Sequence, residues 1–148
     1  MIVDSVHAPK ATAVELAQSA LLRLVALACL WFGLNYWAML VGFSSGGAGR
    51  FDLLPPAWKA AATALAVLFP VAAIGLWLLV SWGPVIWVLA AATEITMYQI
   101  YPDIFGAKPW VVFVHAGVAI VFVLLRIALF IERRSRAKKR GRVRVDSP

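Results

Sequence analysis

The apolar positions of this chain fall in four long runs, separated by short breaks rich in polar residues, glycine or proline. A run near 20 residues long is the length at which an α-helix crosses a bilayer. Residues 1–11 are polar and read as a flexible leader. Thr12-Ala-Val-Glu15 then has the capping-box form, in which Thr12 accepts from the Glu15 amide while the Glu15 side chain reaches back. The pattern predicts a first helix over residues 13–43, about 31 residues or roughly 46 Å at 1.5 Å each, against a hydrocarbon core of ~30 Å. Its first turns, with Glu15, Gln18, Ser19 and Arg23, are expected in the interface or the cytoplasm. Residues 44–56 hold Gly46, Gly47, Gly49 and Pro55-Pro56 and read as a loop.

A second helix is predicted over 57–81. It contains Pro70, which has no N–H and so leaves the carbonyl of Ala66 in need of another partner, with a kink as the usual consequence. Ser81-Trp-Gly-Pro84 is a tight turn into a third helix over 84–101, an antiparallel hairpin with Trp77, Trp82 and Trp87 around its bend. Trp31 and Trp77 are expected to lie deeper than the other tryptophans and to pack. Residues 102–109 form a second loop, 110–131 a fourth helix, and 132–148 a basic tail. The membrane domain spans 12–131.

Composition agrees with this pattern. Of 148 residues 63% are hydrophobic and 14% charged, against about 25% charged in soluble domains. Between Lys59 and Asp103 the one charged residue is Glu94, and between Lys108 and Glu132 it is Arg126. The net charge of +7 is concentrated, since eight of the fourteen basic residues lie between Arg133 and Arg144. Such a tail follows a membrane span and is not a folded nucleic-acid-binding face. The first apolar run is too long, and starts too late, for a cleaved signal peptide. Four spans put both termini on one side, together with Lys10, Arg23 and the eight tail residues, against Arg50, Lys59 and Lys108 on the other. The positive-inside rule places both termini in the cytoplasm. The expected fold is therefore all-α, a bundle of four transmembrane helices.

Glu94 lies near the middle of the third helix, where an ionisable group costs a few kcal/mol, roughly 2.5–3.5 on insertion scales. Residues at i, i+4, i+7 and i+11 share one helix face. That stripe reads Trp87, Ala91, Glu94, Tyr98 and Tyr101 on the third helix, and His115, Ala119, Phe122 and Arg126 on the fourth. On the first helix it is read as Leu24, Ala28, Trp31, Asn35 and Gly42. Counted inward from the outer ends, Asn35 and Glu94 each lie roughly 12 Å deep and His115 roughly 7–8 Å, whereas Arg126 lies roughly 24 Å deep. Asn35, Glu94, Tyr98 and His115 thus form a candidate hydrogen-bonded cluster in the outer half. Arg126 is too deep to pair with Glu94 and near enough to the inner surface to snorkel. Three roles remain open for the cluster: fastening between helices, a ligand or proton-relay site, or a contact to a basic residue of a partner protein.

The chain shows no paired carboxylates, Cys/His metal spacing, nucleophile elbow or phosphate loop, so no enzyme, cofactor or metal is expected. His115 lacks a second membrane histidine for haem, because His7 sits in the leader. Cys29 is single and permits no internal disulfide. Arg126, Arg133, Arg134, Lys138, Lys139 and Arg140 are candidates for contact with anionic lipid head groups or a partner, beyond setting topology.

Two stretches carry resemblances. LLRLVALACLWFGLNYW, with Arg23 and Gly33, resembles the first helix of DoxX-like four-helix membrane proteins, departing from them where Tyr36 and Trp37 follow the glycine in place of a lysine. Gly75 to Trp77, Trp82-Gly83, Trp87, Glu94 and Phe105-Gly106 resemble a family of uncharacterised inner-membrane proteins of alphaproteobacteria. Together these imply a bacterial inner membrane and four helices. The expected function is a non-enzymatic accessory or structural membrane protein, with a membrane protein or a second copy as partner. The alternative is a binder of a small, quinone-like hydrophobic molecule through Glu94, Tyr98 and His115.

Overall fold

A computed structural model describes residues 11–43 and 51–145, with side chains as far as 137. Among these residues there are helices and turns and no strand. The leader, the glycine cluster at 46–49 and the side chains of Lys138, Lys139 and Arg140 lie outside what is described.

Helix α1 covers Ala13–Leu40. It opens on the capping box, with the Glu15 amide donating to Thr12 Oγ1 at 3.2 Å and the Thr12 amide donating to Glu15 Oε2 at 3.0 Å. It ends three residues earlier than the apolar run implies. Gly42 at φ +73° lets its own amide reach Met39 O and the Phe43 amide reach Ala38 O, a Schellman closure that satisfies the last carbonyls. After a 3-10 turn at Phe51–Leu53, α2 runs over Pro56–Trp77. It closes in the same way on Leu79, whose φ of 57° is unusual for a residue with a Cβ.

Helix α3 covers Gly83–Ile95 and passes directly into a π-helical turn, Thr96–Ile100. The short helix α4, Pro102–Phe105, occupies the region read as loop. Helix α5 covers Trp110–Val145 and so continues through the basic segment instead of stopping near residue 131. Its lysines and arginines are good helix formers, and nothing in that segment breaks the pattern before Gly141.

Three helical stretches, Ala13–Leu40, Pro56–Trp77 and Trp110–Ala137, are long and apolar enough to cross a membrane. The 13 α-helical residues of α3 span about 20 Å, short of a ~30 Å core unless the π turn extends them.

Helix α2 packs against both α1 and α3, and α5 lies against α1 and α3. Between helices that cross a membrane the hydrophobic effect contributes little, and close packing takes its place. The buried face of α2 supplies it with Ala62, Leu65, Ala66, Phe69, Ala72, Ala73 and Leu76 at helical spacing. Two glycine contacts set the closest approaches. A Cβ on Gly33 would stand 2.8 Å from Pro70 Cγ and Cδ, so the proline ring seats directly on the α1 backbone. Gly75 and Gly83 abut across the α2–α3 turn, where a Cβ on Gly83 would lie 2.7 Å from Gly75 O.

Pro70 has the expected consequence. Trp37 Nε1 donates to the Ala66 carbonyl at 2.9 Å, so a side chain of α1 supplies the bond that the proline cannot.

The reading of α1's inward face is corrected. Its buried residues are Gln18, Val25, Ala26, Cys29, Gly33 and Tyr36, while Leu24, Ala28, Trp31, Asn35 and Gly42 are exposed. The exposed side of α1 is as apolar as the buried side, with Leu24, Leu27, Leu30, Trp31 and Leu34 exposed, so polarity at Asn35 was a poor guide to the interior. Trp31 and Trp77 are also exposed and do not pack inside; the buried tryptophan is Trp87.

Candidate functional site

The end of the molecule formed by the C-terminus of α1, the N-terminus of α2, the π turn and the start of α5 is called here the loop end. Glu94 lies in the last α-helical turn of α3, facing inward and 6% exposed. Its carboxylate meets a neighbour on either side. Tyr36 of α1 donates its hydroxyl to Glu94 Oε1 at 3.0 Å, and His115 Nε2 of α5 stands 3.0 Å from Glu94 Oε2. One carboxylate thereby joins three helices.

Burial makes these bonds expensive to lose. The side chains of His115 and Glu94 are 11% and 8% exposed, and the Trp87 ring centroid lies 5.9 Å from that of the imidazole. An ionised carboxylate without partners in such surroundings would cost several kcal/mol.

Beside this arrangement is a cavity of about 280 Å³ whose walls include Tyr36, Glu94, Tyr98 and Lys108, with Trp31, Trp58 and Trp110 among its apolar lining. Tyr98 comes from the π turn, a local widening of the helix often found where side chains are presented at a site. Lys108 Nζ donates to the Tyr98 hydroxyl at 3.3 Å and lies 4.6 Å from its ring centroid, a cation–π geometry. The segment carrying Lys108 is fastened at two points. Trp58 Nε1 donates to Ile104 O at 3.0 Å, and Gln99 Nε2 donates to Lys108 O at 3.4 Å.

Of the residues singled out from sequence, Glu94 and His115 are in direct contact, and Tyr98 shares the cavity with Glu94. Asn35 lines the cavity too, but its amide donates to the Trp31 carbonyl one turn back at 2.7 Å and does not bond Glu94. Tyr36, the next residue, makes that contact instead. It follows Cys29 and Gly33 at helical spacing, so the small-residue face of α1 was the signal for it. The sequence pattern assigns Lys108 only a charge on the outer side, and the structure brings it to the cavity. Arg126 is at the opposite end, 5.8 Å above the Phe122 ring, and makes no contact with Glu94. Arg133 lies 3.9 Å from Glu15, and Arg134 is exposed. Among the described residues no three of His, Cys, Asp and Glu converge as metal ligands would.

A model of a family of unknown function, DUF6163, matches residues 16–133. The chain belongs to this family. The match includes Tyr36, Glu94, Tyr98, Lys108 and His115 and stops before most of the basic segment, so the polar site lies within the part of the chain that defines DUF6163. Membership agrees with the likeness to uncharacterised proteins, but supports neither the DoxX-like likeness of the first helix nor an alphaproteobacterial source. No match was found among curated proteins or among solved structures.

Proposed function

We propose that this DUF6163 protein is a non-enzymatic, four-span protein of a bacterial inner membrane, with both termini cytoplasmic, that binds a small quinone-like molecule at its loop end. The observation that carries this reading is the cavity of about 280 Å³ with Tyr36, Glu94, Tyr98 and Lys108 on its walls. Its volume is just below that of most ligand pockets, roughly 300–1,000 Å³, and suits a single ring with its tail left in lipid. Aromatic and apolar walls match the faces of such a ring. Lys108 and Tyr98 are donors for a ring carbonyl, and Glu94 is an acceptor for the hydroxyl of the reduced form.

The test is purification in mild detergent, organic extraction, and titration of the emptied protein with a short-chain quinone. Trp31, Trp58 and Trp110 line the cavity, so binding should quench tryptophan fluorescence. Quenching should saturate in the parent protein and weaken in Tyr98→Phe and Lys108→Met. No extractable quinone, together with no saturable quenching, would sink the reading.

A second reading, an accessory subunit that docks on a partner helix, is favoured by α5. Only 6% of its most apolar 18-residue stretch is buried, leaving Phe113, Val121, Leu124 and Phe130 exposed. A stoichiometric co-purifying protein, lost on introducing Leu124→Arg, would support that reading.

A further inference from the structure

At the other end, where α1 begins and α5 leaves the apolar region, a second cavity of about 290 Å³ is built mainly from polar groups. Gln18 of α1 lines it and is only 8% exposed, yet no described residue hydrogen-bonds its amide. The amide opens onto the cavity and is free to bond an occupant there. Arg126 reaches the same cavity from α5, and its guanidinium has no carboxylate partner among the described residues. Arg133 also lines it, held only loosely by Glu15 at 3.9 Å.

The third wall is the start of α3. That helix has no side-chain cap, and Ser81 and Pro84 at its beginning line the cavity. The positive end of its dipole therefore adds to the two arginines. Two fork-shaped cations, an amide and a hydroxyl make a donor set for a tetrahedral oxyanion.

Acceptors are present as well. Ser19 already donates its hydroxyl proton to Leu16 O at 2.9 Å, which leaves its oxygen lone pairs, and Glu15 contributes a carboxylate. Donors and acceptors side by side suit a head group that carries an ammonium or hydroxyl next to its phosphate. The cavity is set where Arg126, the last charge inside the apolar run, meets the polar first turns of α1.

We propose that this cavity binds a phosphate ester, met in the membrane as the phosphodiester of a phospholipid head group. The site is independent of the loop-end cavity.

The experiment uses the full chain in a phosphate-free detergent at about 0.5 M NaCl, where charges on the exposed basic segment are largely screened. Thermal unfolding is followed with added short-chain phosphatidylethanolamine, with diacylglycerol of the same chains, and with inorganic phosphate. The phospholipid should raise the unfolding midpoint, and diacylglycerol should not. In Arg126→Gln the apparent affinity should fall about tenfold or more, as for loss of a charge-assisted hydrogen bond. Gln18→Leu, which removes the amide but keeps the bulk, should weaken it as well, while Glu94→Gln should keep the full shift. A midpoint raised equally by inorganic phosphate supports the site and identifies the phosphate alone as sufficient. A shift by the phospholipid alone identifies the lipid as the ligand. No shift with any phosphate compound overturns the proposal, as does an equal shift with diacylglycerol or an unchanged shift in Arg126→Gln.

Discussion

The bond from Trp37 to the Ala66 carbonyl makes a quantitative prediction about how Pro70 is tolerated. Ala66 is 1% exposed, and neither water nor lipid can replace the indole donor. Trp37→Phe keeps most of the ring but leaves the carbonyl unsatisfied, which should cost about 1–3 kcal/mol. In a Pro70→Ala background, residue 70 regains an N–H directed at the same carbonyl, four residues back along the helix. Removing the indole there should cost only about 0.5–1 kcal/mol, the net value of one extra hydrogen bond. From the mid-values of these costs the two substitutions should therefore couple by about 1 kcal/mol. Unfolding by SDS in mixed micelles, followed by far-UV circular dichroism, measures all four corners of the cycle. Coupling below about 0.5 kcal/mol, the range of ordinary additivity, would refute the idea that Trp37 substitutes for the missing amide.

Other expectations can be checked in the same assay. Gly33→Ala places a Cβ 2.8 Å from the Pro70 ring and should destabilise by about 1–3 kcal/mol, with much of that loss recovered in Gly33→Ala/Pro70→Ala. Leu79→Gly removes a Cβ from a residue at φ 57° that is 42% exposed, so it should stabilise by up to about 1 kcal/mol. Glu94→Leu strands both the Tyr36 hydroxyl and His115 and should cost about 3–5 kcal/mol, whereas Glu94→Gln keeps a hydrogen-bonding group at each contact and should cost clearly less; equal losses would mean that the two bonds do not hold α1, α3 and α5 together. A C-terminal alkaline phosphatase fusion, active only outside the cytoplasm, should be inactive; activity would overturn the proposed orientation.

The sequence by itself determined the long apolar helical segments and several of their starts, because each rests on local chemistry, but not α4 or the length of α5. Apolar run length, the Thr12–Glu15 capping box, the helix start at Pro56 and the turn before Pro84 are all read within a few residues of one another. It also determined that the Ala66 carbonyl would need help, since a missing N–H is a property of Pro70 alone. The inward face of α3 was legible as far as Tyr98, because Trp87, Ala91, Glu94 and Tyr98 include the one charge in a long apolar stretch, but Tyr101, read on the same stripe, lies past the π turn and is 52% exposed. What sequence could not decide was which partners arrive. The exposed face of α1 is as apolar as its buried face, so α1 offers no contrast between inside and outside, and Asn35 satisfied itself on its own backbone. Only the packing of α1 on α2, set by Gly33 against Pro70, rotates Tyr36 toward Glu94 and Trp37 toward Ala66. The π turn, the placing of Lys108 over Tyr98, and the meeting of Gln18 with Arg126 likewise depend on contacts between helices distant in sequence, and those belong to tertiary structure.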